Sequence, residues 1–138
     1  KFTKDILKRI HNNKINKSIE KTFRILKEDV EKYTYFYSIV IFGSYAINKQ
    51  NEKSDLDIAV FIEDEDNKKI VEAALKSAEL KSLIELDAHV ITKNEFLEML
   101  KVDYENLGKQ IARKHLSILN HRIFYSLLKK GIKNGFRL

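Results

Sequence analysis

Gly43-Ser44 and, after ten intervening residues, Asp55-Leu56-Asp57 are the residues of this sequence whose types and spacing could do chemistry. A glycine lets the backbone approach a ligand closely. A serine hydroxyl beside the free N–H groups of an opening helical turn faces an anion such as phosphate. Two carboxylates one residue apart on a strand point to the same side. With no thiolate or imidazole in the pair, they suit a hard cation.

Parity extends the pattern. Leu56, Ile58, Val60 and Ile62 share one face of a strand and leave Asp55 and Asp57 on the other. Some 30 residues later Ile84, Leu86, Ala88 and Val90 form a second apolar row, with Glu85, Asp87 and His89 opposite. If both rows meet the same helix layer, three or four carboxylates converge on the far face, where they repel one another unless a cation neutralises them. All-oxygen donors favour Mg²⁺ or Mn²⁺, ions that bind together with substrate phosphates. Glu85 and Asp87 both compete for the third ligand position.

The flanking pattern supplies the elements that must position these groups. Apolar residues at helical spacing predict a short helix over 2–13 and a longer basic one over 15–32, with Ile15, Ile19, Phe23, Leu26 and Val30 as its stripe. Tyr35 to Phe42 reads as a buried strand ending at Gly43. Residues 45–54 read as a turn or loop, 55–62 as the second strand, about 67–80 as a helix behind the acidic cluster 63–66, and about 83–91 as the third strand. Thr92 followed by Glu95 predicts a capping box opening the next helix. Residues 104–130 read as mostly helical, with Gly108 and Asn120 as breaks. The expected order is α-α-β-β-α-β-α-α, an α/β or α+β sheet with helices on at least one face.

With 138 residues, 43% hydrophobic content and 14 Phe and Tyr, the chain has material for one domain with a real core. Cysteine is absent, which excludes disulfides and thiolate metal sites. The longest apolar stretch is about one strand long, so a soluble cytoplasmic protein is expected, with no membrane contact. The first residue is Lys, which fits a piece of a longer chain with a further N-terminal module. The net charge of +6 is unevenly spread: residues 1–34 carry 10 basic and 5 acidic side chains, 35–100 carry 7 and 13, and 101–138 carry 9 and 2. Solvated helix faces account for such flanks; they would also suit an anionic partner such as nucleic acid.

Gly43-Ser44, Asp55-Leu56-Asp57 and the later Leu86-Asp87-Ala88-His89-Val90 together resemble the DNA polymerase beta superfamily of nucleotidyltransferases, most closely its minimal nucleotidyltransferases, over about residues 16–101. The resemblance implies a nucleotidyltransferase fold: a small mixed sheet with helices on one face, an acidic metal site on the other, and a helical extension over 102–138. It implies that Asp55, Asp57 and Asp87 hold Mg²⁺ or Mn²⁺, with Asp87 best placed to help activate an acceptor hydroxyl. Gly43 and Ser44 would clamp the triphosphate of ATP or another nucleoside triphosphate. The implied reaction transfers AMP to a hydroxyl acceptor, such as a HEPN-type partner toxin, and releases pyrophosphate. RNA or a small molecule is the alternative acceptor, and a nucleotide- or DNA-binding regulatory module with little turnover is the alternative function.

Many members follow Gly-Ser-x-Ala with Arg-Gly, whereas Ala46 here precedes Ile47-Asn48, so Lys49 or Lys53 would have to supply the cation. His89 reads as a strand-surface histidine. His115 and His121, expected in helices beside Arg113 and Arg122, do not fit the short Arg-and-His nuclease motif of partner toxins and read as structural or partner contacts. Tyr33, Tyr35, Phe36 and Tyr37 read as core and rim.

Overall fold

The computed structural model describes residues 13–51 and 53–138. The helix expected over 2–13 lies almost wholly outside them. The first described element is α1 (Asn13–Glu31), whose Ile19, Phe23, Leu26 and Val30 are buried on one face. β1 (Tyr37–Phe42) follows and ends in a 3-10 turn over Gly43–Tyr45. β2 (Leu56–Ile62), α2 (Lys68–Lys81) and β3 (Leu86–Thr92) form a strand-helix-strand unit. Then come α3 (Lys93–Lys101), α4 (Leu107–Arg113), β4 (His115–Leu119) and α5 (His121–Lys133).

The four strands form one mixed sheet in the order β3-β2-β1-β4. β1 runs antiparallel to both neighbours and β2 parallel to β3, as expected for strands joined through a helix. Both faces are covered. Leu56, Ile58, Val60 and Val90 pack with Ile39 and Ile41 against α1 and α2. On the other face Val40, Ala59, Phe61 and Ile91 pack with Phe96, Ile111 and Phe124 from α3, α4 and α5. The C-terminal helices therefore cover one end of the face that carries the carboxylates.

The parity of β2 and β3 matches the sequence reading, and so does the capping box: Thr92 accepts the Glu95 N–H at 3.1 Å, and Glu95 accepts the Thr92 N–H at 2.9 Å. The helix expected over 104–130 does not form. Its middle is β4, which brings part of the expected helical extension into the sheet and moves His115 from a helix to a strand. Two local conformations cut the helix: Lys114 is extended, and Asn120 is left-handed at φ 55°. The Asn120 side-chain amide donates to the Tyr37 carbonyl at 2.8 Å, which ties the turn to the start of β1. Pairing with the open edge of β1 outweighs a leucine spacing that suits a helix. Gly108 does not break a helix; it lies inside α4, where a Cβ would meet Met99 Cβ at 2.7 Å.

Candidate active site

One row of side chains crosses the sheet. Asp87 on β3 is in register with Asp57 on β2, Asp57 with Phe42 on β1, and Phe42 with His115 on β4. Residues directly opposite share a face, so the row runs from a carboxylate pair at one edge to an aromatic group at the other. Asp57 is half-buried and Asp87 exposed. Burial pushes the Asp57 carboxyl up to about 6, aided by a hydrogen bond with Asp87 and by the charges of Asp87 and Asp55. Asp87 also meets His89, whose Nε2 lies 3.2 Å from its Oδ1. The His89 ring leans on Phe42 at 5.9 Å between centroids.

The Gly43 turn lies directly over this pair. Gly43 has φ +71°, and a Cβ there would stand 2.0 Å from Asp57 Oδ2. Both facts demand glycine: an L side chain is strained in that region, and the space already holds the carboxylate. The turn is closed by Ala46 N–H to the Gly43 carbonyl (3.1 Å) and by Lys49 N–H to the Ser44 carbonyl (2.8 Å). Tyr45 is buried beneath it. Burial, then the charge of Asp55, raises the Tyr45 hydroxyl above its usual range.

Of the residues singled out in the sequence, Gly43, Asp57 and Asp87 meet directly, while Asp55, exposed at the entrance to β2, acts on Asp57 and Tyr45 by its charge. Ser44 sits in the middle of the turn. Glu85 precedes β3 and contributes its carbonyl to the Leu56 N–H at 2.9 Å; Asp57 contacts Asp87. Lys53 is exposed in a separate turn, where its N–H donates to Asn51 Oδ1 at 2.8 Å. Lys49 is the lysine whose backbone is tied to the Gly-Ser turn.

The donor set fits a hard cation in its chemistry. Two carboxylates share a hydrogen bond, one is forced towards its protonated form, and a third adds to the repulsion; a divalent ion would relieve all three. In this geometry the three do not close on one point: among the described residues no group of three or more His, Asp or Glu side chains is arranged to hold a metal ion. Between the turn and Asp55, Gln50 Oε1 is buried with no hydrogen-bond partner among the described residues.

The sequence reading missed Tyr45 and Phe42 as walls of the site. Phe42 faces it by the same alternation that places Asp57, a signal available once β1 and β2 are set in register. It also missed the group around His115, whose Nδ1 donates to the Ile111 carbonyl at 2.9 Å, leaving Nε2 to accept from the Tyr125 hydroxyl at 3.1 Å.

The family model for the nucleotidyltransferase domain matches residues 19–125, from the middle of α1 into α5. The chain belongs to the nucleotidyltransferase domain family. The match spans β4 as well as the strands that carry the carboxylates, so the fourth strand lies within the family's domain. Comparison with curated proteins found no match. Among solved structures, the chain is similar to one in a crystal structure of a toxin-antitoxin with AMP-PNP, at 20% identity and a TM-score of 0.49, covering 80% of this chain and 83% of that one. Among the described residues no helix is long and apolar enough to cross a membrane.

Proposed function

We propose that this nucleotidyltransferase domain transfers AMP from ATP to a hydroxyl acceptor and releases pyrophosphate, with Mg²⁺ or Mn²⁺ as cofactor. One observation carries the reading: the Gly43 turn is packed against Asp57, which itself bonds Asp87, so phosphate donors and cation ligands share one surface. A divalent ion held by Asp55, Asp57 and Asp87 would supply charge neutralisation for the triphosphate and a lowered pKa for the acceptor hydroxyl. The chain's own residues do the rest. Ser44 and the turn N–H groups bind the β- and γ-phosphates, and Lys49 is a better candidate than Lys53 for the cation beside them, because its backbone is tied to the turn. Asp87, oriented by His89, takes the acceptor proton as the new O–P bond forms at the α-phosphorus and the bond to pyrophosphate breaks.

The acceptor is a hydroxyl on a partner protein of HEPN type in our reading, which follows from the resemblance to the minimal nucleotidyltransferases; RNA and small molecules are the competing acceptors. The test incubates the protein with ATP, Mg²⁺ and each class of acceptor, and reads an added AMP by intact mass. The Asp55→Asn/Asp57→Asn variant serves as control. Incorporation that depends on both aspartates supports the reading; absence of ATP binding by the wild type would end it.

A further inference from the structure

The sheet carries a second cleft at the end opposite the carboxylates. Phe36 precedes β1, Glu63 follows the end of β2 at Ile62, and Lys93 follows the end of β3 at Thr92, so a space between these points and α5 lies about one strand length, roughly 20 Å, from the Gly43 turn. That space has a volume of about 300 Å³. Phe36, Ile123 and Leu127 give it an apolar floor, and Lys93, Arg122 and Lys130 bring three cations to its rim.

Its charge is unbalanced. Glu63 is the carboxylate in the lining, and its Oε1 stands 3.9 Å from Lys93, at the limit of an ion pair. Arg122 and Lys130 have no carboxylate partner among the described residues. Arg122, Ser126 and Lys130 follow one another at four-residue steps, so they form a row of donors along one side of α5, about 6 Å apart along the axis. The N-terminus of α3 is not the anchor, because Thr92 and Glu95 already occupy its capping positions. The side chains do the recognition.

We infer that this cleft binds a small phosphorylated molecule bearing a flat ring, with the phosphate on Arg122, Lys130 and Lys93 and the ring on Phe36. A guanidinium fork with two ammonium groups suits a phosphate's several oxygens. Phe36 lines the cleft and is 37% exposed, which leaves aromatic surface for stacking. The volume lies at the lower end for small-molecule pockets, which favours a mononucleotide-sized ligand over a macromolecule. This binding is independent of nucleotidyl transfer at the Asp57 site.

The test is a titration of ¹⁵N-labelled protein in EDTA buffer with AMP, ribose 5-phosphate and inorganic phosphate, followed at the amides of Phe36, Lys93 and Ser126. AMP is expected to shift these signals and to bind most tightly of the three. Arg122→Glu/Lys130→Glu is expected to weaken it by at least about tenfold, whereas Asp57→Asn leaves the affinity unchanged. The milder Arg122→Gln/Lys130→Gln pair checks the same point if the double charge reversal disturbs folding. AMP shifts confined to Gly43–Tyr45, unchanged affinity in both double variants, or no shift at millimolar AMP would each overturn the site. Equal binding of inorganic phosphate would overturn the ring contact.

Discussion

Gly43 and Asp57 limit each other. The positive φ of Gly43 aims the turn at β2, and the carboxylate then fills the space where a side chain would start. Gly43→Ala should therefore lose about 1–2 kcal/mol to backbone strain alone and displace the Asp57 carboxylate as well. A thermal melt should show the loss, and ATP-dependent labelling should fall far more than the melt does. If labelling persists at the wild-type rate, the contact between turn and carboxylate is irrelevant to turnover. Asp57 makes the complementary prediction. Its carboxyl is raised to about 6, so the unfolded chain ionises it first, and the cation-free protein loses stability as pH rises from the ordinary carboxylate range through about 6. Asp57→Asn keeps a polar partner for Asp87 and removes that penalty. In EDTA at pH 8 the variant should be more stable than the wild type by about 1 kcal/mol, a figure reduced for the exposure of the group. Urea titrations of the two proteins measure it, and a less stable variant would contradict the repulsion inferred between Asp57 and Asp87.

The helices and strands differ in how readily they could be read from sequence. The alternation in β2 and β3 and the Thr92–Glu95 box are local patterns, and each forms as its residues indicate. β4 was hidden because Leu116, Leu119, Ile123 and Leu127 keep a helical spacing, while what ends the helix is distant: the edge of β1 and the Tyr37 carbonyl, 83 residues from Asn120. The row from Asp87 to His115 was hidden in part for the same reason, since alternation gives the face of each residue but not the strand order. A shorter-range tie joins the end of α1 to the start of β1, where the buried Tyr37 hydroxyl donates to Glu31. That bond, more than any other contact, holds the Glu31 carboxyl below its usual range. The stability it contributes is present above the ordinary glutamate pKa and disappears as pH falls through the lowered one. Tyr37→Phe should accordingly cost about 1 kcal/mol at pH 7, discounted for a carboxylate about a third exposed. Denaturant midpoints taken from pH 7 down to pH 3 should converge, and a gap independent of pH would mean that the hydroxyl acts through packing instead.

For the whole molecule, the mixed sheet is stable only with both faces covered. α1 and α2 serve one face from the first part of the chain, whereas the other, bearing Val40, Ala59 and Phe61, depends on α3, α4 and α5. Phe61 meets Phe96 at 4.8 Å and Phe124 at 5.2 Å between ring centroids, so α3 and α5 meet over β2 at one aromatic cluster. Fully burying such a ring stabilises by about 1.5–3 kcal/mol, and a Phe→Ala change in a core costs about 3–5 kcal/mol. Phe124→Ala, though distant in sequence from Asp55, Asp57 and Asp87, should thus approach the whole stability of a domain of this size. Removing residues 115–138 should go further, because it strips β1 of its edge partner and uncovers Phe61 at the same time. The shortened chain is expected to bind a hydrophobic dye and to lose its cooperative melt, even though every residue expected to touch ATP is still present. A cooperative transition in that chain would show that α1 to α4 and three strands suffice, and that the fourth strand and α5 are accessory to the fold that carries the carboxylates.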